Sequence, residues 1–417
     1  MATLKTKDSP NFLQPLQDFY KENQRLINVF LALAALLLFY LAVQERLSSL
    51  RPSRMVQSTV TGILIGGVYA LIALGIVIIN KASGVFNFAH GFMMLLGGMI
   101  FYSFFMAAEV TLLASGGMAL VTVLIVMSMN GWRSLLKPRN AAIAAGAVVV
   151  LTLLLSIPTR DEANNLMFGA QLLRGVIGAV CGAVTIGLLI ERVAIRPLIG
   201  QPLFAAVLMT LAVGEGLMRG LTNIVWGSVE LSLPLFDGVT ALGIPQTIVI
   251  EAGDFLGGDV RIFAKLLVPF ILALIAFVAF VLFFRYTNVG LAMRASAENQ
   301  NLAQSTGLRV RFILAVAWAI AAILAATAGT LQGGATSLSL NLPLLALRAF
   351  PAVLLGGLES ITGALVGGLV IGIVQEWANL LFPGTQAGTE LAPYVVLMIV
   401  LVVRPDGLFG EKRIERI

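Results

Sequence analysis

Long uncharged apolar runs, separated by short polar segments, are the feature that most constrains how this chain can fold. A helix needs about 20 apolar residues to cross the hydrocarbon core of a bilayer, where its backbone must satisfy its own hydrogen bonds. The runs therefore predict an all-α, polytopic transmembrane helical bundle of about twelve spans. The approximate spans are 27–43, 58–80, 89–106, 111–130, 141–157, 166–190, 203–226, 263–284, 312–332, 343–356, 361–380 and 391–403.

Composition excludes several classes of function. Hydrophobic residues make up 59% of the chain and charged residues 12%, which leaves little for a soluble domain. One Cys and one His exclude a disulfide framework and Cys- or His-rich metal sites. The sequence has no Gly-Lys dipeptide, hence no G-x-x-x-x-G-K-[ST] phosphate loop, and no G-x-S-x-G elbow. We therefore expect no catalytic residue, no metal site, no cofactor bound by this chain and no enzymatic activity.

The distribution of Lys and Arg predicts the orientation. If both termini are cytoplasmic, most Lys and Arg residues fall into inner segments, as the positive-inside rule requires. The same rule accounts for the net charge of +6, so binding to nucleic acid is not needed to explain it. Segment 44–57, with Arg46, Arg51 and Arg54, would lie outside and has the amphipathic character of a segment resting on the membrane. The expected regions are a cytoplasmic N-terminal segment 1–26, a lead transmembrane helix with its amphipathic loop 27–57, a transmembrane domain 58–403 and a cytoplasmic tail 404–417.

The longest outer loop, 227–262, is acidic. It carries Glu230, Asp237, Glu251, Asp254 and Asp259 against Arg261 alone. Two interpretations stay open, a solvated loop kept negative by the orientation rule and a surface that receives a partner protein.

The largest polar interruption in the second half is 285–311, predicted to be a cytoplasmic loop. Its residues 291–304 are good helix formers, and Thr306 and Gly307 form a stop signal. A helix lying across the inner face, with Ala, Leu and Met on one side, could dock in the groove of a cytoplasmic partner. An ordinary surface helix explains the spacing equally well.

Two glycine-rich breaks interrupt the apolar runs. The first, within 79–98, contains Asn87, Phe88, His90 and Gly91, and the second, within 351–372, contains Gly356, Gly357, Glu359 and Ser360. A break at membrane depth is tolerated only where it is buried in protein or lines a cavity, so both are candidates for a translocation path. His90 could relay protons, or it could cap or pack at a helix start.

Charges and small residues inside the spans support further expectations. Glu215 and Arg219 stand four residues apart, so we expect a structural ion pair within the bundle. Ion coupling through Glu215, Glu376 or His90, as in a secondary transporter, is the alternative. Glycine pairs four residues apart let helices approach closely. These pairs are Gly62 with Gly66, Gly178 with Gly182, Gly363 with Gly367 and Gly368 with Gly372.

Four segments in order resemble one known family. They are GVYALIALGIVIINKASGVFNFAHG (67–91), MRASAENQNLAQSTGL (293–308), VLLGGLESITGALVGGLVIG (353–372) and RPDGLFG (404–410). Over roughly 56–107 and 166–410 the chain is similar to the permease subunits of branched-chain amino acid type ABC importers.

The resemblance implies a fold, partners and a location. The fold is a permease core of about ten spans, here with an inserted hairpin. The partners are a homologous second permease, two cytoplasmic ATPases that bind ATP-Mg and a periplasmic solute-binding protein, in a bacterial inner membrane. The resemblance also implies that segment 289–308 is the coupling helix that docks on an ATPase. Its docking residues would be Met293, Arg294, Ala295, Glu298, Leu302, Ala303 and Gly307.

Three departures from the family pattern leave the solute open. They are the N-terminal extension 1–55, an apparent inserted helical hairpin within 108–165, and Phe92 where the family usually has an acidic residue. Importers of urea, amides and aromatic acids share this permease type. We expect the inserted hairpin to lie at the periphery of the bundle.

Overall fold

The computed structural model of the chain is a bundle of helices. Seven helices of the described part are long and apolar enough to cross a membrane, and four shorter apolar helices accompany them. The predicted all-α polytopic bundle is therefore confirmed. The structure describes residues 44–410 except 130, 132, 134–135, 161–166, 229, 237–244, 252–256, 299 and 386, together with scattered positions between 23 and 41.

The first predicted span, 27–43, lies mostly outside the described residues, although its described positions are helical. The count of twelve spans therefore stays a prediction. Residues 1–22 and 411–417, most of the two predicted cytoplasmic ends, lie outside the described part, as do Asp237 and Asp254 of the outer loop.

The first half of the described chain forms seven α-helices and three irregular helical segments. The α-helices are α1 (Pro52–Ser83), α2 (His90–Met106), α3 (Leu112–Ser128), α4 (Pro138–Leu155), α5 (Phe168–Leu189), α6 (Leu203–Leu211) and α7 (Arg219–Trp226). A π-helical segment, Ile190–Ile195, and a 3-10 turn, Arg196–Leu198, extend α5. A second π-helical segment, Ala212–Met218, joins α6 to α7, so the predicted span 203–226 is one helix with an irregular centre.

The second half begins with a small β-ribbon in the outer loop, and an isolated β-bridge pairs Leu231 with Leu338. Strands β1 (Thr247–Ile250) and β2 (Val260–Phe263) pair antiparallel, with Thr247 opposite Phe263. The helices that follow are α8 (Ala264–Tyr286), α9 (Asn288–Glu298), α10 (Gln300–Ser305), α11 (Val310–Ala335), α12 (Pro343–Gly356), α13 (Ile361–Leu381) and, after a π-helical turn Ala387–Leu391, α14 (Ala392–Val403).

Proline and glycine set several helix ends. Pro52, Pro138 and Pro343 stand in the first turn of α1, α4 and α12, where a missing N–H costs nothing. Gly84 ends α1 in the left-handed conformation, with φ 68°, and its N–H donates to the carbonyl of Asn80 at 2.7 Å. Because α1 begins at Pro52, part of the predicted amphipathic loop 44–57 is the first turn of a transmembrane helix.

Helix α1 is the centre of the bundle. It packs against α8, α11, α12 and, most extensively, α13, and nearly all of its residues from Gly66 to Ile79 are buried. A Cβ atom on Gly62 would meet backbone atoms of Gly372 and Ile373, and one on Gly66 would meet Gly368. The predicted close approach at these glycines is therefore present between α1 and α13.

Helices α3 and α4 form a hairpin on the outside of the bundle. They pack on each other, and their contacts with the rest run mainly to α5. Leu155 is the one buried residue of α4, whereas Leu113 of α3 is 87% exposed. The hairpin predicted to be an insertion therefore lies at the periphery of the bundle, as expected.

Candidate functional site

The first glycine-rich break re-enters the bundle. The chain leaves α1 at Gly84, and α2 begins with His90 beside Gly75, in the third turn before the end of α1. Asn87 is fully buried, and its side-chain oxygen accepts the N–H of Ala89 at 3.0 Å. The break is thus mostly buried in protein, one of the two settings in which a break within a span is tolerated.

The His90 ring is packed rather than paired. It is fully buried, it contacts the position of Gly75, and neither ring nitrogen has a hydrogen-bond partner within the described part of the chain. A proton relay needs a second titratable group within reach, whereas Gly75 offers none. The surroundings favour the packed polar group over the relay.

Three aromatic rings join the first break to α12. The rings of Phe86 and Phe350 stack with centroids 5.1 Å apart, and those of Phe88 and Phe350 do the same at 5.1 Å. The N–H of Phe88 donates to the hydroxyl of Thr210 on α6 at 3.1 Å, and Gly91 lies against Pro343. The break is a tightly packed junction of α2, α6 and α12.

The second break lies beside the C-terminal end of α1. Asn80 and Lys81 donate side-chain hydrogen bonds to the carbonyls of Leu358 and Glu359 at 3.2 and 3.0 Å. Ser360 caps α13, since its hydroxyl accepts the N–H of Gly363 at 3.0 Å. The two predicted path segments therefore flank one end of α1, the end with Lys81.

Gly356 and Gly357 of the second break allow backbone contacts. Gly356 faces Gly363, and Gly357, at φ 103°, faces Phe409 and Gly410 of the tail. The N–H groups of Leu408 and Phe409 donate to the carbonyls of Leu355 and Gly356. Residues 404–410 of the predicted tail are thus folded against the end of α12.

A cavity that the sequence analysis did not predict opens at the other end of α1. It has a volume of about 410 Å³ and lies among α1, α8, α11, α12 and α13. The predicted orientation places it on the outer side. Its lining combines aliphatic residues with the polar groups of Thr61, Tyr69, Lys265, Gln332, Thr336, Arg348 and Gln375.

Polar groups at the cavity wall are held in place. The hydroxyl of Tyr69 donates to the side-chain oxygen of Gln375 at 2.5 Å, and both residues are buried. Arg348 faces Glu390 with an N–O separation of 3.9 Å. One signal could have indicated this cavity, because Lys265 and Arg348 are charges inside predicted spans, and such charges commonly mark a path.

Glu215 and Arg219 form the predicted pair. Their side chains approach to 2.8 Å within and after the π-helical segment. They are not buried in the chain, since Glu215 is 56% and Arg219 47% exposed. The expectation that the pair lies inside the bundle is corrected, because α6 and α7 turn this face outward.

Helices α9 and α10 form the predicted cytoplasmic helix in two parts. Met293 is buried, and Arg294 donates to the carbonyl of Phe284 and covers its ring at 5.4 Å. Ala295 and Glu298 are exposed, and Gly307 ends the segment with φ 87°.

The face that these helices present differs from the predicted one. Leu302 is 62% exposed, whereas its neighbour Ala303 is only 4% exposed and belongs to the core of the bundle. Ala303 and Met293 therefore hold the helices to the membrane domain. The exposed large apolar residues of these helices are Leu291 and Leu302.

Comparisons with known proteins place the chain among transport permeases. Residues 138–403 match the family model described as branched-chain amino acid transport system / permease component. The match begins inside the segment treated as an insertion. No solved structure matches the chain significantly.

Among curated proteins, the high-affinity branched-chain amino acid transport system permease protein LivH of Escherichia coli is 27% identical, over 87% of this chain and 97% of LivH. The corresponding protein BraD of Pseudomonas aeruginosa is 27% identical with the same coverage. The fructose import permease protein FruF of Bifidobacterium longum is 24% identical, over 69% of this chain and 78% of FruF.

Proposed function

The chain belongs to the family of branched-chain amino acid transport system permease components, and we propose that it is the multi-pass membrane subunit of an ATP-driven importer in the bacterial inner membrane. Two cytoplasmic ATPases, a homologous second permease and a periplasmic solute-binding protein complete the proposed transporter. The chain itself carries out transport and catalyses no reaction. ATP-Mg binds to the partner ATPases.

The single observation that carries this proposal is the pair of exposed leucines on α9 and α10. Leu291 and Leu302 stand out from short helices that are themselves fixed to the bundle by Met293 and Ala303. An apolar side chain on a polar cytoplasmic helix gains free energy when a groove covers it. Since the anchoring residues are buried in the membrane domain, a displacement of these helices by an ATPase would be passed to the spans.

The outer cavity is proposed as the entrance of the path. Lys265 and Arg348 supply positive charge suited to a carboxylate, and Glu390 stands next to Arg348. Leu64, Ile65, Val68 and Leu345 supply an aliphatic wall. A small amino acid with an aliphatic side chain would use both groups, since its carboxylate pairs with the cations and its side chain packs on the aliphatic wall.

In this mechanism the junction formed by Phe86, Phe88 and Phe350 closes the way from the outer cavity toward the inner break. ATP binding would draw the ATPases together, and the permease pair would alternate between outward and inward access. The predicted path residues Asn87, Phe88, His90, Gly91, Gly356, Gly357, Glu359 and Ser360 would then separate during transport.

The proposal is tested by Leu302→Asp in the complete transporter. A carboxylate in an apolar groove is strongly unfavourable, so the variant should lose copurification of the ATPases and ATP-driven uptake. Ser305→Asp is the matched control, since it places the same charge on an exposed polar position of α10. Uptake by the chain alone, with ATPases removed and an ion gradient present, would instead support coupling through Glu215, Glu376 or His90.

A further inference from the structure

A second large cavity lies at the opposite end of the bundle from the outer one. It is an open cavity with a volume of about 490 Å³, lined by the C-terminal end of α3, the extension of α5, the start of α11 and Gln304 of α10. These are the ends that the predicted orientation places at the cytoplasmic surface.

Four arginines line it: Arg192, Arg196, Arg309 and Arg311. Arg196 forms a two-bond pair with Glu191, at 3.0 and 2.8 Å, and Glu191 is buried. Arg192 donates to the hydroxyl of Ser128, which fixes its guanidinium at the end of α3. Glu191 pairs with Arg196, whereas Arg309 and Arg311 stand exposed at the surface of the cavity, where their positive charge is open to an anion.

The α3–α4 hairpin borders this cavity. Ser128, Met129 and Gly131 at the end of α3 form one wall, and the hairpin itself is exposed along nearly its whole length. Exposed apolar side chains near this end of the hairpin, Leu124, Val126 and Ile143, would face lipid chains in a membrane. The cavity therefore lies at headgroup depth beside an apolar surface that acyl chains would cover.

We propose that this cavity binds the phosphate of an anionic phospholipid, with its acyl chains along the α3–α4 hairpin. Guanidinium groups bind phosphate through paired, charge-assisted hydrogen bonds, and basic pockets between spans on the cytoplasmic side suit anionic headgroups. Arg309 and Arg311 are exposed in the cavity and supply these bonds, while Arg192 and Arg196 are held in place by Ser128 and Glu191.

The site also gives the inserted hairpin a role that does not depend on the proposed function. Gln304 lies in the same wall as Arg309 and belongs to α10, so a bound headgroup would contact the hairpin, the core and the cytoplasmic helices together. A lipid in this position would bridge the peripheral hairpin and the part of the chain that faces the cytoplasm.

The test uses the full-length chain in detergent and measures bound lipid by native mass spectrometry, with added phosphatidylglycerol or phosphatidylcholine. Wild type should retain phosphatidylglycerol preferentially. Arg309→Gln with Arg311→Gln should weaken this binding about tenfold or more, because charge-assisted bonds to the phosphate are lost. Lys137→Gln with Arg139→Gln is the control, since it removes two exposed positive charges from the same end of the hairpin without touching the cavity.

Three results would overturn the proposal. The first is equal weakening by the control pair, which would mean diffuse attraction to the positive surface. The second is equal retention of both lipids by wild type. The third is displacement of phosphatidylglycerol by millimolar inorganic phosphate, which would indicate a soluble phosphate compound instead. If the double variant does not elute as a folded chain, Arg311→Gln alone is measured in its place, and unchanged retention by that variant also overturns the proposal.

Discussion

The helix pair α1–α13 and the hairpin α3–α4 both contain glycine, but glycine has a different role in each. Both regions are apolar helices that contain several glycines. Four of these glycines let the backbones of α1 and α13 touch, as Gly368 does against Ala70. In the hairpin, no described atom outside the local helix lies within 4 Å of a Cβ built on Gly117 or Gly146. A glycine in a membrane helix is therefore informative only together with what faces it.

The largest effect is expected for Gly368→Val. The new Cβ would overlap the backbone nitrogen and Cα of Ala70, which cannot move without displacing α1. Overpacking against backbone should cost about 3 kcal/mol or more. We expect little folded chain in the membrane and a much lower Tm for whatever is purified. A Tm equal to that of wild type would mean that α1 and α13 are not in close contact.

The next effect concerns Arg174, which connects the core to the hairpin. Its fully buried guanidinium donates to the carbonyls of Phe104 and Ala107 at the end of α2, and to that of Ile157 after α4. Arg174→Met leaves these carbonyls without their donor and should cost about 2–3 kcal/mol.

The variant Arg174→Lys tests whether positive charge alone is enough for this contact, or whether the shape of the guanidinium is also needed. One ammonium cannot reproduce the fork of donors that reaches three carbonyls, so Lys should rescue only part of the lost Tm. Full rescue would show that positive charge alone matters there. Exposed Arg139→Met, in the first turns of α4, is the control and should leave the Tm unchanged.

A third prediction addresses uptake rather than folding. Arg348 lies at the outer cavity and is only partly buried, so Arg348→Gln should leave the amount of folded chain unchanged. Loss of one charge-assisted contact should raise the KM for a carboxylate-bearing solute about tenfold in the complete transporter. Exposed Arg54→Gln, near the same end of α1, serves as control. If KM stays constant in both variants, the outer cavity is not the entrance.

The sequence was sufficient to predict the bundle, because apolar runs and small-residue pairs are local signals. The glycine pairs also predicted the close approach of helices that is found at Gly62, Gly66, Gly368 and Gly372. The same pattern at Gly178 and Gly182 has a different meaning in the structure. There the facing atoms belong to the side chains of Phe104 and Ile100, so the helices are held further apart.

Features that depend on distant parts of the chain could not be predicted. Tyr69 and Gln375 bond across 306 residues, and no local pattern relates them. Whether Leu302 or Ala303 faces outward depends on how α10 sits on the bundle, which the spacing of a short helix does not fix. The same reason explains why Glu215 and Arg219 were expected inside the bundle and are found on its surface.

The smallest effect is expected for Gly146→Val, the counterpart of Gly368→Val. A side chain there enters open space on α4, and in the membrane it would meet lipid chains. Valine is a slightly better helix former than glycine, so we expect a Tm within about 2 °C of wild type, or slightly above it. ATP-driven uptake should be unchanged as well. A large loss of Tm or of folded chain would require a protein neighbour on this face, which would move the hairpin from the lipid boundary to a contact with another subunit.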